Sequence, residues 1–136
     1  MRILVVDDHE VVRLGVRRLV ESRPDWQVCG EACDGVQAIE KVRHLKPDLV
    51  ILDILMPIMN GFEAAMEIRQ IAPGTKLVLL SLHEVPVSAK EVGADAFVSK
   101  ADVAAELVST IDRLLQPKAR SVAMGRWLNQ ELEAES

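Results

Sequence analysis

One recurrence constrains this chain more than any other feature. Short apolar runs, each ending on a polar or charged residue, alternate with longer segments whose apolar residues fall at helical spacing. The runs Ile3–Val6, Leu49–Leu52 and Leu77–Leu80 are unbroken stretches of β-branched residues and leucine. Such runs suit strands covered on both faces. Trp26–Cys33 is a more polar strand candidate, fit for a sheet edge, and Ala96–Ser99 is a fifth. Between them, Val12, Val16, Leu19 and Val20 mark one helix and Ala38, Ile39, Val42 and Leu45 a second. Ala64, Ala65, Ile68 and Ile71 mark a third, and Val103, Leu107, Ile111, Leu114 and Leu115 the last. Pro24, Pro47, Pro73-Gly74 and Pro117 punctuate the series. The segment 84–92 reads as a short, weak helix whose start Pro86 delays. Strand–helix units of this length imply a parallel sheet with helices on both faces, an α/β doubly wound fold.

Composition narrows the function classes. The chain has 136 residues, 49% hydrophobic and 27% charged, enough for one domain with a core of its own. No apolar run approaches the roughly 18 residues of a membrane span, and the N-terminus lacks the pattern of a secretory signal. The net charge is −5 and the isoelectric point about 5.2, which argues against direct nucleic-acid binding by this chain. Cys29 and Cys33 on one strand would lie about 13 Å apart, too far for a disulfide. They read as small core-type residues in a reducing cytoplasm.

The chemistry gathers where strands end. In an open parallel sheet, functional groups collect beyond the carboxyl ends of the strands. The first strand ends in Asp7-Asp8, the third in Asp53, the fourth in Ser81 and the fifth in Lys100. A polar residue after any one strand is unremarked solvation, but carboxylates, a hydroxyl and an ammonium together make a coherent set. Crowded carboxylates repel one another, and a hard divalent cation such as Mg²⁺ relieves the repulsion. A carboxylate beside the metal can attack phosphorus. A lysine and a hydroxyl can neutralise and hold the transferred group, which is most of what phosphoryl transfer requires.

These motifs resemble the receiver domain of two-component response regulators. The resemblance rests on DDH at 7–9, LDILMPIMNG at 52–61, LS at 80–81 and GADAFVSK at 93–100, and covers residues 1–116. DDHEVVRLGV and the absence of proline after Lys100 are most similar to the LuxR/NarL-type subfamily, which usually carries a C-terminal helix-turn-helix. The resemblance implies a flavodoxin-like (βα)5 fold with strand order 2-1-3-4-5. It implies that Asp53 accepts a phosphoryl group from a sensor histidine kinase. It implies that Asp7 and Asp8 hold Mg²⁺, with the Asp53 carboxylate and the backbone carbonyl of Leu55. Ser81 would bond a phosphoryl oxygen, Lys100 would pair with Asp53 or its phosphoryl group, and Phe97 would be the aromatic switch. The implied protein is a cytoplasmic signalling switch that catalyses only its own phosphorylation and dephosphorylation.

Several residues depart from the pattern or read blandly. The span from Ser81 to Lys100 is shorter than in the family's longer members, and the shortening falls near Pro86. Leu82 stands where a small residue is common and is expected to shield the phosphoryl group from hydrolysis. His83 reads as a solvated loop residue. His9 reads as a non-ligand, since neighbours on an extended strand point oppositely. Arg13, Arg17 and Arg18 read as a solvated helix face, and Met56 and Met59 as shaping their loop. No nucleotide-binding or acyl-transfer motif is present in the sequence.

Residues 117–136 are a tail, too short for a helix-turn-helix domain. Met124, Trp127, Leu128 and Leu132 fall at helical spacing, so the tail reads as a short amphipathic helix that docks on this domain, a second copy or a partner, or as a linker to a missing output domain. Other readings stay open. The chain could be the regulatory half of a truncated DNA-binding transcriptional regulator, or a non-phosphorylated protein-interaction module. A Mg²⁺-dependent phosphatase is disfavoured, because such enzymes place a second acid where this chain has Leu55.

Overall fold

The computed structural model describes residues 1–82 and 90–116. Five strands alternate with helices: β1 (Arg2–Val6), α1 (Glu10–Glu21), β2 (Gln27–Ala32), α2 (Gly35–Leu45), β3 (Leu49–Asp53), α3 (Gly61–Ile71), β4 (Lys76–Ser81), β5 (Ala96–Ser99) and α4 (Val103–Leu114). The strands form one sheet in the order β2-β1-β3-β4-β5, and every neighbouring pair is parallel. The expected fold class and strand order are therefore found, with β2 at an edge. Of the segment expected to be weakly helical, only Lys90–Val92 is described, as a single 3₁₀ turn. A second 3₁₀ turn, Lys100–Asp102, leads from β5 into α4.

Strand parity sorts the core into two layers. Leu4, Val6, Val50, Leu52, Leu77 and Leu79 face α2 and α3, together with Ala38, Val42, Ala64 and Ile68. Ile3, Val5, Leu49, Ile51, Val78, Leu80 and Val98 face α1 and α4, together with Val16, Val20, Leu107 and Ile111. Successive side chains on a strand point to opposite faces, so an unbroken apolar run supplies both layers at once. Burying each large aliphatic side chain stabilises the fold by about 1.5–3 kcal/mol. Outside the core, Arg23 ties α1 to α4 by a two-pronged ion pair with Asp112, at 2.7 and 2.9 Å. The Arg23 guanidinium also lies 4.7 Å from the centre of the Trp26 ring.

Helix boundaries follow from local chemistry. Asp34 caps α2 by accepting from the Gln37 amide, and Lys46 ends the helix in a left-handed conformation just before Pro47. Asn60 and Glu63 form a reciprocal capping box at the start of α3, which satisfies two amides that would otherwise lack partners. Cys29 and Cys33 are both free thiols, but neither is a core residue: Cys29 is half-buried and Cys33 is exposed. Cys29 occupies the irregularity in β2, since Ile3 pairs with Val28 and Leu4 with Gly30.

Candidate functional site

Register brings the strand-end groups together. β1 and β3 pair Val6 with Leu52, so one further step sets Asp7 beside Asp53. β3 and β4 pair Asp53 with Leu80, which puts Ser81 one step beyond. β4 and β5 pair Ser81 with Ser99, and Lys100 follows. Each polar group thus arrives at the same edge because each apolar run stops at the same level.

Asp7 and Asp53 are almost fully buried, with side chains 1% and 2% exposed. Lys100 Nζ lies 3.0 Å from Asp7 Oδ2 and 3.1 Å from Asp53 Oδ2. These are ion pairs by distance, yet neither Oδ2 atom has a hydrogen-bond partner of good geometry. The opposite oxygens are held by backbone. Asp7 Oδ1 accepts from the His9 amide at 2.8 Å, and Asp53 Oδ1 accepts from the Leu55 amide at 3.3 Å.

Burial pushes the Asp53 carboxyl above its ordinary range. The neighbouring Asp7 charge adds to that, while Lys100 and the Leu55 amide work against it. Burial also works against the Lys100 charge, but the two carboxylates outweigh it and hold the ammonium's pKa above its ordinary value. The two shifts share one cause, a cation and two anions confined where water is scarce.

The loop from β3 to α3 leaves little freedom at the buried acid. The Gly61 amide donates to the Ile54 carbonyl at 2.8 Å. A Cβ on Gly61 would stand 2.2 Å from the Asp53 carbonyl oxygen and 2.7 Å from Ile54 Cα, so only glycine fits. Met56 and Met59 pack against the α2–α3 core layer, in keeping with a loop-shaping role. Ile58 is 82% exposed and has a φ of 70°, a left-handed conformation that β-branched residues seldom adopt.

Of the remaining expected residues, Asp8 sits at the rim and Ser81 is buried at the end of β4. Phe97 is half-buried against the α2–α3 layer, edge-on to Phe62 with ring centres 6.4 Å apart. Ser81 and Phe97 share strand parity, because Leu79 pairs with Phe97 and Ser81 with Ser99. Leu82 is exposed. His83 and the 117–136 tail lie outside the described residues.

Two residues sit differently from the sequence reading. His9 does not continue the strand; it is the N-cap of α1, and its ring turns back so that Nδ1 lies 3.3 Å from Asp7 Oδ1 and 3.1 Å from Asp8 Oδ1. Asp7, Asp8, His9 and Asp53 each offer a donor atom, all within 4.8 Å of one another. Arg13 does not lie on a solvated face. Its side chain is 15% exposed, and Nη1 donates to the Asp7 carbonyl at 2.7 Å, while Nε reaches Glu31 at 3.3 Å. Arg17 is half-exposed and pairs with Glu21 and Glu31. The spacing of Arg13 on a helix gave no sign of a contact back to the strand before it.

The family model described as the response regulator receiver domain matches residues 3–112. This chain belongs to that family. The receiver is 36% identical over 115 residues to the response regulator protein VraR of Staphylococcus saprophyticus, covering 82% of this chain and 54% of that protein. It is also 36% identical over 114 residues to the response regulator GacA of Pseudomonas viridiflava, covering 82% of this chain and 53% of that protein. The chain thus spans about half the length of the curated relatives it matches. Among solved structures, it resembles the response regulator domain of Thermotoga maritima CheB, with a TM-score of 0.75 and 34% identity over 86% of this chain and 98% of the other. It also resembles a LuxR-family two-component response regulator from Aurantimonas sp., with a TM-score of 0.76 and 35% identity over 92% of this chain and 96% of the other. The receiver is a two-component signalling module with LuxR/NarL-type relatives. Among the described residues, no helix is long and apolar enough to cross a membrane.

Proposed function

We propose that this receiver accepts a phosphoryl group on Asp53 from the phosphohistidine of a sensor histidine kinase, in a Mg²⁺-dependent reaction, and switches conformation in response. The observation that carries this reading is the buried Asp53 carboxylate, held between Lys100 Nζ and the Leu55 amide at the edge where Asp7 and Asp8 also end. Asp53 is the nucleophile: a carboxylate oxygen forms the new bond to phosphorus as the phosphorus–nitrogen bond breaks and the imidazole leaves. Lys100 keeps Asp53 ionised against the cost of burial and then faces the transferred group.

The donor set fits a hard divalent cation. Asp7 and Asp53 each turn one buried carboxylate oxygen to the single Lys100 ammonium, without hydrogen-bond geometry, and two buried acids sharing one cation repel each other. Asp7, Asp8, Asp53 and the Leu55 carbonyl would hold Mg²⁺, which prefers oxygen ligands. When bound, Mg²⁺ supplies neutralisation of charge on the phosphoryl oxygens.

Ser81 then bonds a phosphoryl oxygen, and Phe97 changes packing as Ser81 moves. Their shared strand parity supports a coupled response. Leu82, exposed beside Ser81, shields the phosphoryl group and slows its hydrolysis. Residues 1–116 form the receiver domain and 117–136 a tail. The receiver acts in the cytoplasm, pairs with a second copy for output and contacts no nucleic acid through this domain. A second reading makes it the regulatory half of a longer DNA-binding regulator. It is favoured by the length of the relatives, and by one similar structure that is a DNA-binding LuxR-family regulator from Staphylococcus aureus, 28% identical. The two readings share all of the chemistry above and differ only in output.

Intact-mass spectrometry after incubation with acetyl phosphate tests the core of this reading. A single phosphoryl adduct is expected, lost both in Asp53→Asn and when Mg²⁺ is removed. A folded sample that forms no adduct with acetyl phosphate or with a phosphorylated kinase would instead mark a constitutive interaction module.

A further inference from the structure

The acidic site contains one donor that an all-oxygen Mg²⁺ site does not need. His9 makes no side-chain cap on α1; its ring turns instead to the acid pair. Its own amide is fixed to Asp7 Oδ1 at 2.8 Å, which holds the residue against the acid pair. The ring is 63% exposed, yet Nδ1 is directed inward, within 3.3 Å of Asp7 Oδ1 and 3.1 Å of Asp8 Oδ1. The buried Oδ2 atoms of Asp7 and Asp53 face Lys100 alone, at ion-pair distance but without hydrogen-bond geometry, so one ammonium is shared between two buried acids.

We propose that His9 Nδ1 is an additional side-chain donor in this cation site and tilts its selectivity toward later first-row transition ions such as Co²⁺, relative to Mg²⁺. The inference rests on the acidic-site reading given above. Its physical basis is ligand softness. Carboxylate and carbonyl oxygens suit Mg²⁺, whereas an imidazole nitrogen suits transition ions and offers Mg²⁺ little. Three carboxylates with one imidazole therefore bind both classes but rank them differently from three carboxylates alone. The rim position of the ring lets it rotate onto an incoming ion without disturbing the core.

His9→Ala removes the donor and its contacts with Asp7 and Asp8 but keeps the amide bond to Asp7, so the ratio of the two affinities is the readout. The test is a pair of titrations on the full chain at a pH where imidazole is neutral, Co²⁺ followed by its visible absorption and Mg²⁺ by calorimetry. His9→Ala should weaken Co²⁺ on the order of 10-fold, as loss of a metal-supporting group commonly does, alter the Co²⁺ spectrum and lower the ratio of Co²⁺ to Mg²⁺ affinity. Asp53→Asn should weaken both ions. An unchanged ratio of Co²⁺ to Mg²⁺ affinity in His9→Ala overturns the His9 inference alone. Co²⁺ binding that survives Asp53→Asn undiminished overturns it too, since the ion would then sit elsewhere. If the wild-type chain binds neither ion, the acidic-site reading falls together with the inference.

Discussion

β3 carries an aspartate at each end, and the two have opposite circumstances. Asp48, just before the strand, is exposed, and its backbone and carboxylate both work as sheet connectors. Its Oδ2 accepts from the Arg2 amide at 2.8 Å, its amide donates to the Arg2 carbonyl at 2.9 Å, and its carbonyl accepts from the Lys76 amide at 3.0 Å. Asp53, the last residue of the strand, is buried and has one oxygen facing only Lys100. β5 repeats the contrast. Asp95 before it accepts from both the Leu77 amide and Arg69 Nη2, whereas Lys100 after it is shared between two crowded acids. Residue type does not separate the two ends of the sheet. What separates them is whether each polar group is satisfied by the fold or left for a ligand to satisfy.

The largest effect should follow from removing the cation at the carboxyl end. Lys100→Met leaves Asp7 and Asp53 buried without a counter-charge, and breaking such a pair costs about 3–5 kcal/mol. In chelator at neutral pH, chemical denaturation should show a loss of that order, and saturating Mg²⁺ should recover part of it. Asp48→Asn at the other end keeps an oxygen to accept from Arg2 and should stay within about 0.5 kcal/mol of wild type. Equal losses at the two ends would break the contrast.

Glycines give a smaller version of the same test. Gly61→Ala drives a methyl into the backbone of Asp53 and Ile54 and should cost about 1–3 kcal/mol as overpacking. Because the strained atoms include the acceptor's own carbonyl, phosphorylation by acetyl phosphate should slow as well. A Cβ on Gly74, near the amino end of β4, would meet nothing within 4 Å, so Gly74→Ala should leave both stability and phosphorylation unchanged.

Much of this was legible in the sequence, for physical reasons. Unbroken apolar runs such as Leu49–Leu52 announce strands buried on both faces, and the residue that ends each run is carried to the common edge by register. That reasoning placed Asp7, Asp53, Ser81 and Lys100 at one edge, and the resemblance added strand order and expected roles. Strand alternation does not describe His9, because β1 ends at Val6 and the chain bends at Asp8 before entering α1. Arg13 was misjudged because helical spacing reports which face a residue lies on, whereas a long side chain can reach back to the preceding strand.

The smallest effect concerns the balance between burial and ion pairing at Asp53. Burial and Asp7 raise its folded pKa, and Lys100 opposes them. A carboxyl whose folded pKa lies above its unfolded one binds its proton more tightly in the native state. Between the two values, stability therefore falls as pH rises, the reverse of a carboxylate held low by a salt bridge. Lys100 does not disturb this window. Its folded pKa is also raised, so its contribution is complete throughout the acid range and fades only as alkaline pH passes that raised value. In chelator, wild type should therefore gain stability relative to Asp53→Asn as the pH falls from neutral toward the ordinary carboxylate range. A relative loss would mean that Lys100 outweighs burial. The acceptor would then rest in a satisfied ion pair like those at the amino end of the sheet, and the contrast between the two ends would fail at the residue on which it depends.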